Sequence, residues 1–321
     1  MARIFDWVVL KAVGLWMILA FFREWKLLRR RQRRYGVTRI SLAVPMLADE
    51  KFFWRKAIDH DPRFVTLTDK IACKEWVVAQ GIDIKMPETF WVGTDANDIP
   101  QSAWDRPIYI KAGHGWGMNI PVVDPAADHV KIIDEANTYM DLEHGRARFQ
   151  WAYRDVPKRL LAEEALFQDK PLIEIKYYTF GPIVEQFVIS RHGDPTTSGR
   201  WQRESDGSYK LDDQPTTVSP IIDRAPLPPV ADEGLRLASE IGAKFDQMRI
   251  DTMTDGDTMY LGELTVYNQA GRAQLQGHYE DAPLNRSWDL RQSWFLTTPQ
   301  TGWRACYASA LRRALDQRHA N

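Results

Sequence analysis

From residue 7 to residue 22 the chain reads WVVLKAVGLWMILAFF, a run whose only charge is Lys11, and the next twelve residues, REWKLLRRRQRR, are mostly basic. A helix of these sixteen residues extends about 24 Å, short of the roughly 30 Å of a bilayer's hydrocarbon core. Ile4, Phe5, Leu27 and Leu28 lengthen the apolar surface enough for a shallow span. Basic residues that follow such a run are drawn to anionic headgroups of the cytoplasmic leaflet. Residues 4–34 therefore predict an anionic membrane surface as a partner, with the remainder of the chain cytoplasmic, at the inner face of the cell membrane. A cleaved export signal carries its positive charge before the apolar run, the reverse of this order. The competing expectation is a helix packed on the main domain, its arginines a solvated face.

Beyond residue 36 the periodicity changes. Apolar residues recur three and four apart over about 47–60, 69–81, 129–142, 229–247 and 303–318, which predicts helices. Strand-like runs lie at 87–92, 107–112, 159–166, 173–180, 183–190, 248–254 and 258–266. Gly181-Pro182 and Asp255-Gly256 are hairpin turn signals, so the second half reads as mainly antiparallel sheet with helices packed on it. That is an α+β pattern, distinct from the βαβ alternation of a dinucleotide-binding fold. Residues 191–228, rich in Asp, Ser, Thr, Pro and Gly, are expected to form a long exposed excursion. There is no internal repeat and no low-complexity linker, so residues 36–321 are expected to form one catalytic domain after a segment comprising residues 1–35.

Composition narrows the function. The formal net charge is -1, which argues against a general nucleic-acid binder. It conceals a net +7 on residues 1–34 against -8 on the rest. The only cysteines, Cys73 and Cys306, are far apart and form no metal-ligand spacing, consistent with a reducing compartment without structural zinc. Cys73 itself reads as a small buried apolar residue.

Three stretches carry candidate chemistry. In IYIKAGHGWGMNIPVV, Lys111 ends a strand and is followed by Gly113, Gly115 and Gly117, a cation beside a loop whose backbone N–H groups can approach phosphate oxygens. The spacing matches neither a Walker A loop nor a Rossmann fingerprint. In RIDTM and LGELT, Asp251 and Glu263 sit on adjacent strands, as one or two Mg²⁺ ions that also hold phosphates would require. Arg249, two residues before Asp251, shares its strand face and is placed to stabilise developing negative charge. An Arg–carboxylate ladder on a solvated sheet face would give the same pattern. In LLAEEAL and IEIKYYTFG, Glu163 and Glu164 end an apolar strand, and Glu174 and Lys176 share a face of the next. Trp116 and Trp201, in polar surroundings, are candidate stacking platforms for sugar rings.

In their order these pieces, LTDKIACKEWV, YIKAGHGWGMNI, RLLAEEAL, IEIKYYTFG and RIDTMTDGDTMYLGELTVYNQAG, resemble the ATP-grasp superfamily, and within it the TupA-like branch associated with teichuronopeptide and other polysaccharide biosynthesis. The resemblance runs from about Phe64 to Gly271. It implies an ATP-grasp fold of two α+β subdomains, about 61–160 and 161–321, holding ATP between antiparallel sheets. It implies that Lys70 and Lys111 bind nucleotide phosphates under a closing loop that includes Gly113, Gly115 and Gly117. Glu163, Glu164 and Leu166 match the adenine hinge, and Asp251 and Glu263 the carboxylates that bridge Mg²⁺. Arg249 and Lys176 match catalytic cations, with Glu174 where the motif usually has Asp. His114 is placed to contact a phosphate or acyl phosphate, or to pack the loop. Many relatives carry Asn two residues after the second carboxylate; this chain has Thr265 there, with Asn268 close by as a substitute ligand.

The function implied is ATP-dependent carboxylate–amine ligation through an acyl phosphate, joining an amino acid or amino sugar to a uronic-acid carboxylate in cell-surface polysaccharide biosynthesis. Two alternatives share the scaffold: a kinase-like phosphotransferase, and a membrane-tethered, non-catalytic glycan- or partner-binding module. Specificity is expected in loops 191–228 and 268–290.

Overall fold

The computed structural model describes residues 2–34, 36–124, 126–271 and 283–319. Part of the expected specificity loop, 272–282, lies outside the described residues. The helices are α1 (Ala2–Ala20), α2 (Phe22–Arg34), α3 (Ala48–Ala57), α4 (Arg63–Thr68), α5 (Lys70–Ala79), α6 (Gln101–Trp104), α7 (His129–Thr138), α8 (Trp151–Arg154), α9 (Ala231–Gly242), α10 (Pro283–Ser287), α11 (Trp294–Thr297) and α12 (Gly302–His319). The strands are β1 (Thr89–Gly93), β2 (Ile108–Ala112), β3 (Asn119–Val122), β4 (Leu160–Glu164), β5 (Ile173–Phe180), β6 (Ile183–Arg191), β7 (Thr197–Arg203), β8 (Tyr209–Leu211), β9 (Met248–Thr254) and β10 (Met259–Thr265). Two compact units result, neither continuous in sequence: 62–242 with 248–266, and 1–61 with 243–247 and 267–321.

The first of these holds both sheets. A four-stranded antiparallel sheet runs β1-β4-β2-β3, and a six-stranded one runs β10-β9-β5-β6-β7-β8. In the small sheet, Ile108, Ile110, Ala112, Leu160, Ala162, Ile120 and Val122 turn one way into a core with Trp104, Met118 and Ala136. Alternation then sends Lys111 and Glu163 to the opposite face. The large sheet follows the same rule. Ile173, Ile175 and Tyr177 of β5, and Met248, Ile250 and Thr252 of β9, are buried, while Glu174, Lys176, Arg249 and Asp251 between them are only partly covered. Helix α9 packs against β5, β6 and β9. It approaches closely because Gly234 and Gly242 lack side chains: a Cβ at Gly234 would stand 2.0 Å from Tyr177 Oη, and one at Gly242 2.5 Å from Thr179 Oγ1.

Helix α5 begins at Asp69, whose carboxylate accepts from the N–H groups of Ile71 at 2.9 Å and Ala72 at 3.4 Å. It ends at Gly81, whose φ of 69° closes the helix as L side chains rarely can. Arg159 donates to the other oxygen of Asp69 at 2.7 Å, tying the start of α5 to the residue before β4.

Three expectations are corrected. Residues 191–228 contain strands β7 and β8, which extend the large sheet; the run TSGRWQR pairs with β6 over residues 186–191, and Asp206-Gly207 turns the hairpin. The helix expected at 229–247 stops at Gly242. The apolar and basic N-terminal runs are not one helix but two, α1 and α2, bent by 100° about Phe21.

In the other unit, all ten residues of α3 are buried. The Glu50 carboxylate accepts from the N–H groups of Ser41, Met46 and Leu47 at 2.9, 2.9 and 3.2 Å, which fixes the entry to that helix. Arg55 donates to Asp246 Oδ1 at 2.6 Å and to Gln247 Oε1 at 2.9 Å, and Lys51 donates to the carbonyls of Asn285 and Trp288, each at 2.6 Å. Trp54 Nε1 donates to Tyr307 Oη at 2.8 Å, joining α3 to α12. Buried charges are tolerable only when partnered in this way.

Candidate active site

A cavity of about 290 Å³ is lined from α4, α5 and the small sheet by Leu67, Lys70, Lys74, Lys111, Gly117 and Glu163, and from the large sheet by Glu174, Lys176, Asp251, Leu261 and Glu263, among others. One set supplies lysines around a carboxylate. Lys111 donates to Glu163 Oε1 and Lys74 to Glu163 Oε2, each at 2.6 Å. Lys74 also donates to Pro87 O and Thr89 Oγ1 at 2.8 Å. Burial pushes the Glu163 carboxyl up, but Lys111 and Lys74 outweigh it and hold the group below its ordinary value. Lys70 donates to the carbonyl of Gly115. Burial and the nearby charge of Lys111 lower its pKa, with Glu263 opposing.

The glycine loop is anchored at both ends. Lys70 N–H donates to Gly113 O at 3.2 Å, Gly113 N–H to Arg159 O at 2.8 Å, and Ala112 N–H to Met118 O at 3.0 Å. Gly117 adopts a φ of 72°, in the left-handed region that glycine reaches without strain. A Cβ at Gly115 would come within 2.5 Å of His144 Cδ2 and Met118 Cε. His114 is buried, its Nε2 at 3.1 Å from Tyr139 O, so it packs beneath the loop and is not among the lining residues. Trp116 lies half exposed at the cavity, with the Arg148 guanidinium 5.4 Å from its ring centre.

The large-sheet set is a braced acidic pair. Asp251 and Glu263 are register partners on β9 and β10, and Arg249 and Thr265 are the next pair on that face. The register shifts between Leu261 and Glu263, at Gly262, where a Cβ would stand 3.2 Å from Asp251 O. Arg249 grips Asp251 through two hydrogen bonds of 2.6 Å and donates to Thr265 Oγ1 at 3.0 Å. Thr265 Oγ1 in turn donates to Glu263 Oε1 at 2.6 Å. Burial raises the Asp251 pKa despite Arg249. For Glu263, burial is outweighed by Lys70, Arg249 and the Thr265 hydroxyl, so the carboxyl sits below its ordinary value. Lys176, the register partner of Asp251 on β5, donates to Glu174 Oε2 at 3.1 Å, and His192 Nε2 lies 3.1 Å from the same oxygen.

Of the residues named from sequence, Lys70, Lys111, Gly117, Glu163, Lys176, Asp251 and Glu263 line this cavity, and Arg249 and Thr265 brace it through hydrogen bonds. Gly113 and Gly115 shape the loop behind it. Glu164, whose carboxylate accepts from Glu88 N–H at 3.4 Å, and Leu166 are not among the lining residues. Asn268 belongs to the other unit, where it is buried. Trp201 stacks on Phe187 with centroids 6.1 Å apart, a packing role in place of the expected platform. Lys74, Tyr153 and the apolar lining of Met86, Met253 and Leu261 were not anticipated. Lys74 was detectable as the residue one helical turn after Lys70, and Met253 as the next position on the Arg249–Asp251 face.

A sequence profile described as TupA-like ATP-grasp matches residues 50–287. The chain belongs to that family. Its fold is the ATP-grasp fold. Similar solved structures include a D-alanine–D-alanine ligase from Bacillus anthracis, 18% identical, covering 79% of this chain and 70% of that one, with a TM-score of 0.39. The same enzyme complexed with ATP is matched at 15% identity over 78% and 68%, with a TM-score of 0.40. An N5-carboxyaminoimidazole synthase from Aspergillus clavatus, in complex with ADP and a ribonucleotide, is 15% identical over 76% and 54%, with a TM-score of 0.39. Such distant likeness says nothing about substrate. No curated protein matches the sequence.

The donor set fits the ligands of this family. Lys70, Lys74 and Lys111 could serve as cations for a polyphosphate, and Met86, Met253 and Leu261 as apolar surface for a base. Asp251 and Glu263 are hard oxygen ligands of the kind Mg²⁺ takes one or two of, leaving its other positions to phosphate and water. Among the described residues no group of three or more His, Cys, Asp or Glu is placed to hold a metal ion.

Proposed function

We propose that this chain is an ATP-dependent carboxylate–amine ligase that uses an acyl phosphate. The observation that carries the reading is one cavity lined by Lys70, Lys74, Lys111 and Lys176 and by the braced pair Asp251 and Glu263, in a member of the TupA-like ATP-grasp family. Lys70 and Lys111 hold the nucleotide phosphates, and the 113–118 loop covers them. Asp251 and Glu263 would hold Mg²⁺, which would supply neutralisation of charge on the phosphates. A substrate carboxylate oxygen attacks the γ-phosphorus of ATP; the bond to the β–γ bridging oxygen breaks, leaving ADP and an acyl phosphate. An amine nitrogen then attacks the acyl carbon, loses a proton, and phosphate departs with the C–O bond electrons, leaving an amide. Arg249 and Lys176 offset negative charge that builds up on the transferred group.

The substrates we infer are a uronic-acid carboxylate and the amine of an amino acid or amino sugar, in cell-surface polysaccharide assembly at the inner face of the cell membrane. Support comes from the family's association and from the apolar and basic segment 4–34. The test is ATP titration with and without Mg²⁺, then ADP release with uronate and amine together. Binding that depends on Mg²⁺ and is weakened at least about tenfold by Asp251→Asn and by Glu263→Gln is expected. Release of ADP without an amide, leaving a stable phosphorylated product, would favour the kinase-like alternative. Thr265 favours the non-catalytic alternative, since its hydroxyl is already engaged by Glu263 and Arg249. A folded wild type that binds no nucleotide would establish that reading instead.

A further inference from the structure

Helix α1 is apolar on both faces, yet only one face is covered. Val13 and Met17, one turn apart, are buried, and the helix packs along α12. Two contacts fix that pairing: Asp6 accepts from Arg313 at 2.6 and 2.7 Å, and Trp16 meets Trp303 with ring centres 5.5 Å apart. Ten residues separate the contacts on each helix, so the two lie side by side and antiparallel over about 15 Å. The opposite face carries Ile4, Trp7, Val8, Leu15 and Leu19, between 49% and 70% exposed. A contiguous apolar face of this size, with tryptophan in it, marks a surface that meets another apolar phase. Its one charged member, Lys11, is exposed and has a stem long enough to carry its ammonium toward water.

Helix α2 supplies the matching charge. It turns 100° from α1 and buries Glu24, Leu28 and Gln32 at four-residue spacing. Arg23, Lys26, Arg29, Arg30, Arg33 and Arg34 are exposed, and no acidic residue of α2 is. An apolar face joined to a purely cationic one is complementary to an anionic lipid leaflet.

We propose that α1 lies in the plane of an anionic membrane as a one-sided insertion, its Ile4–Leu19 face among the acyl chains and the basic face of α2 on the headgroups, and does not cross the bilayer. The proposal rests on the membrane location inferred above and on none of the ligase chemistry. Crossing would drag α12 inward with α1, and α12 carries Arg304, Arg312, Arg313, Asp316 and Arg318 beside it. Among the described residues no single helix is long and apolar enough to cross, and the one pair that could by length and composition, α1 with α2, is bent by 100°.

The test uses the full chain and sealed vesicles of phosphatidylcholine, with or without roughly one-third phosphatidylglycerol. Co-sedimentation is expected with the anionic vesicles. It should fall about tenfold or more in Leu15→Glu/Leu19→Glu, which alters only exposed positions. It should also weaken severalfold as salt rises from about 0.1 M to about 1 M, and in Arg29→Gln/Arg30→Gln. A thiol introduced by Arg3→Cys, in a Cys306→Ser background, should remain reactive toward an impermeant maleimide added outside. Protection of that thiol in bound protein would overturn the in-plane arrangement while leaving the membrane location standing. Absence of binding to either vesicle would overturn both, and ATP binding measured on the same sample reports separately on the ligase site. Lipid-independent self-association abolished by Leu15→Glu would assign the face to a second copy and overturn the proposal.

Discussion

Glu163 is a carboxylate shared by two lysines, and both of its oxygens are committed. Replacing Lys74 or Lys111 by Met leaves one oxygen of a nearly buried carboxylate unpaired. We expect each to cost about 1–2 kcal/mol in chemical denaturation, since the lysines themselves are partly solvated. The two should differ in nucleotide affinity, with Lys111→Met weakening ATP binding more than Lys74→Met because Lys111 lies on the strand that runs into the glycine loop. Because the folded carboxyl lies below its ordinary value of 4.5, its contribution is present above that pH and lost as pH falls through the folded pKa. Acid unfolding of Glu163→Gln should therefore show a shallower pH dependence below about pH 4.5 than wild type. At this scale the strand residues were legible in the sequence, since charges interrupting apolar alternation have few reasons to be there. Lys74 was legible only as a position one helical turn after Lys70, because a lysine on a helix is ordinary until the strand it reaches is known.

Helix α9 packs on the large sheet against β5 and β9, the strands that carry Lys176 and Asp251. Gly234 sits where a Cβ would fall inside the Tyr177 hydroxyl, so the helix must retreat or the tyrosine must move if a side chain is added. Gly234→Val is expected to destabilise by about 3 kcal/mol, read as a lower Tm, and to weaken nucleotide binding through displacement of β5. Helix and strand identities in this part were readable from period alone. The hairpin β7–β8 was obscured by composition: Ser, Gly and Arg at its buried positions look like loop until the partner strand β6 supplies their hydrogen bonds, as Ser198 shows by donating to Ile189 O at 2.9 Å.

At the scale of the whole molecule, the unit formed by 1–61, 243–247 and 267–321 could not be foreseen. Its parts are three separate stretches of the sequence, joined by buried polar contacts that local periodicity does not encode. One of them makes the fold sensitive to alkali. Burial, with Asp246 nearby, raises the Asp59 carboxyl well above its ordinary value of 3.8, and Arg55 only partly opposes this. One of its oxygens accepts from Phe295 N–H at 2.8 Å, and the other has no partner among the described residues, as suits a protonated acid. A raised carboxyl pKa stabilises below the unfolded value and loses that contribution as pH rises through the folded one. Thermal melts should accordingly fall from about pH 5 toward about pH 9, and Asp59→Asn should flatten the decline.

The way α1 is seated also bears on how the protein can be handled. Deleting the apolar leader is the usual route to a tractable sample, but here Val13, Met17 and Leu28 are interior residues, Phe21 meets Phe53 edge-on at 5.9 Å, and Trp16 contacts Trp303 with ring centres 5.5 Å apart. A chain cut back to the end of α2 would exchange one greasy surface for another, freshly uncovered on α3 and α12. It should precipitate more readily than the intact protein kept in mild detergent, which dresses the outer face and leaves the inner one closed.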